Sequence, residues 1–195
     1  MATSDIPLQN LLEEVRSCER CEDLPLGPRP VVRAASTASV LIIGQAPGTR
    51  VHASGIPWDD PSGERLRNWM GLTSEQFYDT SRIAIMPMGF CYPGKGRSGD
   101  LPPRPECAPL WHEAILEHLP NLGLTLLIGQ YAQSYYLADH HRNLTEHVKH
   151  WRDYLPRLLP LVHPSPRNRR WLAQNPWFEK ELVPFLRMEV AQRIS

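Results

Sequence analysis

Four short apolar runs, at 40–43, 83–86, 124–128 and 158–162, constrain this chain more than any other feature. Each stops at a breaker: Gly44, Pro87, Gly129 and the His163-Pro164 pair. Apolar residues at helical spacing occupy the stretches between them, at 64–70, 109–119 and 130–138. Strands that alternate with helices read as βαβ units around a parallel sheet. Ligands of such sheets bind beyond the carboxyl ends of the strands. A site is therefore expected in Gly44-Gln45-Ala46-Pro47-Gly48, in Pro87-Met88-Gly89-Phe90-Cys91 and in His163-Pro164-Ser165-Pro166-Arg167-Asn168.

The 195 residues suffice for one domain, 1–195, in which 1–30 supply a helix and a cysteine-bearing segment. That helix is expected over 8–20, ahead of the breakers Pro25, Gly27, Pro28 and Pro30. Lysine plus arginine number 21 and aspartate plus glutamate 21, a net charge of +0. This balance excludes a protein that binds nucleic acid through bulk positive charge, and leaves room for a local basic patch. Proline, at 20 residues, is roughly twice its average usage and falls in clusters, which reads as long shaped loops. No run approaches the roughly 18 apolar residues of a membrane span. Residues 1–10 lack the basic and apolar segments of a secretory signal. The expected location is a bacterial-type cytosol in which thiols stay reduced.

Four cysteines in that setting point to metal or catalysis rather than to disulfides. Cys18 and Cys21 form C-x-x-C, and Cys91 and Cys107 are separated by fifteen intervening residues. A C-x-x-C turn directs two thiolates at one centre, and a distant pair can complete the set. No histidine follows Cys21, which removes c-type haem attachment. Zinc and an iron–sulfur cluster both remain open.

The G-Q-A-P-G motif, the H-P-S-P-R-N motif and four cysteines in this order resemble the uracil-DNA glycosylase superfamily. The cysteine pattern is similar to the iron–sulfur family 4 branch, and the late motif to the single-strand-selective branch. The resemblance covers about residues 11–190. It implies a three-layer α/β fold, a central four-stranded parallel sheet flanked by helices. It implies that Cys18, Cys21, Cys91 and Cys107 hold a structural four-iron four-sulfur cluster, with zinc as the alternative. The implied partner is DNA carrying a deaminated or damaged base, met by a monomer, and the implied reaction is cleavage of the N-glycosidic bond of a flipped base. Trp58 then matches the aromatic that stacks the base, and His163 the donor that meets charge on the departing base. Gly44, Ala46, Gly48 and Met88 are the other expected base contacts, with Gln45 beside them to hold water. Ser62, Ser165 and Arg167 are expected on DNA, the arginine in a groove or on a phosphate.

Three departures complicate that picture. The glutamate of the family 4 motif is Gln45 here, and its neighbour is Ala46, so the first motif has no carboxylate. The asparagine that reads uracil has no counterpart in Ile85-Met86-Pro87-Met88-Gly89, which points to looser base selection. Asp59 and Asp60 follow Trp58, and one of them is expected to help water attack; adjacent residues on an extended segment face opposite ways, so at most one faces the site. The same Asp-Asp-Pro-Ser-Gly is also good turn and helix-cap chemistry. The alternative to an enzyme is a weak or inactive superfamily member that only binds DNA or a base. Of the remaining features, His52 is a second possible base. Tyr131, Tyr135 and Tyr136 read as packing residues, and His140, His141, His147 and His150 as a polar face. The stretch 94–99 reads as a mobile basic loop suited to phosphates.

Overall fold

The computed structural model describes residues 6–195; residues 1–5, the start of the expected N-terminal segment, lie outside the described residues. Strands β1 (Val40–Ile43), β2 (Ile83–Ile85), β5 (Leu124–Ile128) and β6 (Leu158–Leu161) form one all-parallel sheet in the order β2-β1-β5-β6. All four apolar runs are thus strands, two of them one residue shorter at the carboxyl end than expected. The runs are continuous rather than alternating because both faces of the sheet are covered. Val40, Ile42, Leu126 and Ile128 point into one core; Leu41, Ile43 and Leu127 point into another.

The first core is closed by α3 (Pro61–Met70), α4 (Ser74–Tyr78), α7 (Leu144–Lys149) and α9 (Val183–Ile194), through residues such as Leu66, Phe77, Val148 and Leu186. The second is closed by α1 (Ile6–Arg16), α5 (Cys107–Glu117) and α6 (Gln130–Tyr136), through Leu12, Val15, Ile115 and Ala132. This gives the expected three layers. Helix α1 stops four residues short of the expected 20, leaving Cys18 and Cys21 in the turn beyond it. Two short helices, α2 (Thr49–Ser54) and α8 (Arg169–Gln174), each follow a motif loop.

Both edges of the sheet are managed. Pro160, which has no N–H to give, stands in edge strand β6. At the other edge Arg33 forms an antiparallel bridge with Ile85. The stretch 94–99 is not a loop: Lys95–Gly96 (β3) and Gly99–Asp100 (β4) pair as a small antiparallel hairpin. Its Gly99 has φ +144, a conformation open to glycine.

Candidate functional site

The exit loops of β1 and β2 are joined backbone to backbone. The Met88 N–H donates to the Gly44 carbonyl and the Gly89 N–H to the Gln45 carbonyl, each at 2.9 Å. Over this seam lies a narrow, mainly apolar pocket walled by Trp58, Val31, Val51, Pro57, Ile85 and Pro87. It opens beside a wider polar cleft that carries Ser62, Asp100, Ser165 and Arg167. Gln45, Ala46, Gly48, Asp60 and His163 line both.

Trp58 is held by its surroundings. It has φ 59, the left-handed region that bulky side chains avoid. Its carbonyl accepts from Arg67 at 3.3 Å, and the Tyr78 hydroxyl donates to the Pro57 carbonyl at 2.9 Å. Its indole packs on Gly44, where a Cβ would lie 2.7 Å from the ring. Strain of this kind persists where the surroundings over-determine it, and it gathers at ligand sites.

The adjacent aspartates separate as expected. Asp60 is the extended N-cap of α3; its carboxylate accepts the Gly63 N–H at 2.8 Å while facing both cavities. Asp59 lines neither cavity. Turn chemistry and site chemistry therefore coexist in one residue, because a cap engages only part of a carboxylate's accepting capacity.

His163 follows β6. Its Nδ1 accepts the Ser165 N–H at 3.2 Å, so the ring proton belongs on Nε2. The Asn168 side chain donates to the His163 carbonyl at 2.8 Å and steadies the turn. Burial lowers the pKa of His163, and the negative charge of Asp60 only partly opposes this. The ring is therefore held neutral, with its N–H at Nε2. It stands 5.5 Å from the Trp58 ring, centroid to centroid.

The remaining expected residues divide. The Gln45 amide nitrogen donates to the Leu101 carbonyl at 3.3 Å, which ties β1's exit to the hairpin segment. Arg167 donates to the Ser98 carbonyl at 2.8 Å, crossing the cleft to the hairpin turn. Ser62 is buried in the cleft wall and Ser165 caps the turn after β6. Met88 lies apart from this group: its side chain is buried in the second core and borders a separate groove beside Pro103 and Tyr135. Pro87 stands at the pocket in its place, since strand alternation turns successive side chains to opposite faces. His52 lines neither cavity and faces Tyr92, ring to ring at 6.3 Å. His147 and His150 bond backbone carbonyls of Asp139 and Glu146. One residue the sequence reading passed over, Asp100, reaches the cleft from β4, with a carboxylate oxygen 3.6 Å from where a Cβ on Gly48 would sit.

Behind Pro87, His112 is buried between the Pro87 carbonyl, 3.1 Å from Nε2, and the Tyr136 hydroxyl, 2.6 Å from Nδ1. Burial pushes its pKa down to about 4. The unfolded chain, with an ordinary histidine pKa of about 6.5, then binds the extra proton first. Stability contributed by the neutral ring is complete above about pH 6.5 and falls away toward about pH 4. Over that window the loss is on the order of 3 kcal/mol. Melting temperature is expected to rise from pH 4 to 6.5, and more shallowly in His112→Gln; parallel pH profiles would refute the assignment.

Cys18, Cys21, Cys91 and Cys107 are all free and line one small cavity below the end of α1. Burial raises the thiol pKa of Cys21, Cys91 and Cys107, that of Cys91 to about 11, and the charge of neighbouring cysteines adds to this. Buried together, these groups favour the neutral thiol, and a bound cation would be required to hold them as thiolates. Among the described residues no group of three or more His, Cys, Asp or Glu is placed to hold a single metal ion, while all four cysteines line the same cavity. The donor set fits a sulfur-ligated cluster.

The fold is a three-layer α/β architecture, an all-parallel four-stranded sheet with a histidine turn and a glycine-rich turn at its carboxyl edge. The chain belongs to the uracil DNA glycosylase superfamily, whose family model matches residues 32–187. Among the described residues no helix is long and apolar enough to cross a membrane.

Proposed function

We propose that this protein is a DNA-base glycosylase that hydrolyses the N-glycosidic bond of a flipped, deaminated or damaged base. One observation carries the reading: His163 and Asp60 stand on the wall shared by a narrow apolar pocket and a wide polar cleft. A flipped nucleotide presents those two halves, a flat base and a charged backbone, and the bond to be cut lies between them. Trp58 offers the face on which the base stacks. The Nε2–H of His163 offers a donor to negative charge growing on the departing base. The Asp60 carboxylate offers the negative partner for positive charge growing on the sugar. Ser62, Ser165 and Arg167 offer phosphate contacts.

Pro87 lacks an N–H, and its carbonyl is 3.1 Å from the His112 ring nitrogen. The end of β2 therefore supplies no side-chain amide to read a uracil edge, which favours acceptance of several bases. Cys18, Cys21, Cys91 and Cys107 would hold a four-iron four-sulfur cluster, which would serve as a structural brace for the segments that flank the hairpin. Iron with acid-labile sulfide should accompany anaerobically purified protein; zinc in their place would overturn the cluster assignment.

The test is single-turnover base release from oligonucleotides carrying uracil, hypoxanthine, xanthine or hydroxymethyluracil, as single and double strands. Release of at least one base is expected. Retention of abasic-site DNA without release of any base would instead identify a binding protein on the same scaffold.

A further inference from the structure

Resting on the glycosylase reading, we infer that Asp100 is the catalytic base that takes a proton from the attacking water. The first motif has no carboxylate at Gln45 or Ala46, yet hydrolysis leaves a water proton to be accepted. Asp60 commits part of its carboxylate to the Gly63 N–H at 2.8 Å. Asp100 has no such commitment: among the described residues no hydrogen bond or ion pair engages its carboxylate. It faces the polar cleft together with Asp60 and His163, over Gly48, whose missing side chain leaves the approach open.

The placement is built rather than incidental. Asp100 pairs with Lys95 across the hairpin. Gln45 holds the next carbonyl, that of Leu101, and Arg167 holds the carbonyl of Ser98 at the turn. The glutamine that replaces the motif carboxylate thus anchors the segment that carries a carboxylate back into the site. Partial burial raises the Asp100 pKa and Asp60 adds to this, while Arg167 and Lys95 pull it down. A carboxylate raised in this way is a better proton acceptor than an ordinary one.

The bond between the anomeric carbon and the base nitrogen breaks, and its electron pair stays on the base beside His163. The water oxygen bonds to the anomeric carbon. The water's proton passes to the Asp100 carboxylate and on to the departing base. The products are the free base and an abasic sugar.

Wild type, Asp100→Asn and Asp100→Ala would be run on the four modified oligonucleotides under single turnover. Retention of the same DNA and thermal melting would be recorded for each, and formate would be added to the alanine variant. The expected result is release slowed by about 10²-fold or more in both variants, with DNA retained as well as by wild type and with formate restoring rate to Asp100→Ala. Wild-type rates in Asp100→Asn would overturn the role of Asp100 and leave the glycosylase reading standing. Slow release with weakened DNA retention and no formate rescue would assign a structural role instead, and overturn it too. No release by folded wild-type protein from any substrate would overturn the glycosylase reading, and the base with it.

Discussion

His163→Ala is expected to slow base release by about 10²–10³-fold, the usual cost of removing one donor aimed at developing negative charge. The donor is well prepared. Its Nδ1 accepts the Ser165 N–H, which leaves the proton on Nε2. Burial keeps the ring neutral, so a donor rather than a full cation faces the base. The Asn168 side chain fixes the backbone from the other side. Retention of abasic-site DNA should change little, because phosphate contacts come from other residues. His163→Gln, which keeps an N–H in the same region, should recover part of the rate. Full activity in His163→Ala under single turnover would remove the residue from the mechanism.

Gly63→Ala is expected to be the most damaging small substitution for stability. A Cβ there would lie 1.8 Å from the Trp58 carbonyl oxygen and 2.6 Å from its carbon. Both are backbone atoms, so no side chain can swing away. Overpacking of this kind costs about 1–3 kcal/mol and occasionally more. For a chain of this size each kcal/mol lowers the melting temperature by about 2–4 °C. The same clash pushes on a residue already at φ 59, so the stacking face moves as well. Gly48→Ala is the matched control: its Cβ would meet only the Asp100 carboxylate, at an ordinary 3.6 Å. Equal melting temperatures for Gly63→Ala and wild type would show that the Trp58 turn yields without cost.

The class of architecture was legible because continuous apolar runs ended by breakers have few other solutions. The same logic placed Gln45, His163 and Ser165 together, since loops at the carboxyl edge of one parallel sheet are neighbours whatever their separation along the chain. The missing carboxylate of the first motif was equally legible. Asp100 was not. Its strand is two residues long, Gly99–Asp100, and so short a strand carries no periodic apolar signal. Met88 and Pro87 differ by one position, and the alternation of β2 continued past Ile85 puts Pro87 at the pocket and Met88 in the second core.

Local rules of spacing and turn chemistry thus named the strands, the motif loops and a set of four cysteines. The turn that sets Asp60 at the site and holds Trp58 left-handed is a close local approach, Gly63 against the Trp58 backbone, that a side chain would block. The return of Asp100 depended on contacts between segments far apart in the chain. Gln45 against Leu101 and Arg167 against Ser98 make those contacts, hydrogen bonds across tens of residues. Such contacts exist only once the sheet has brought their partners together.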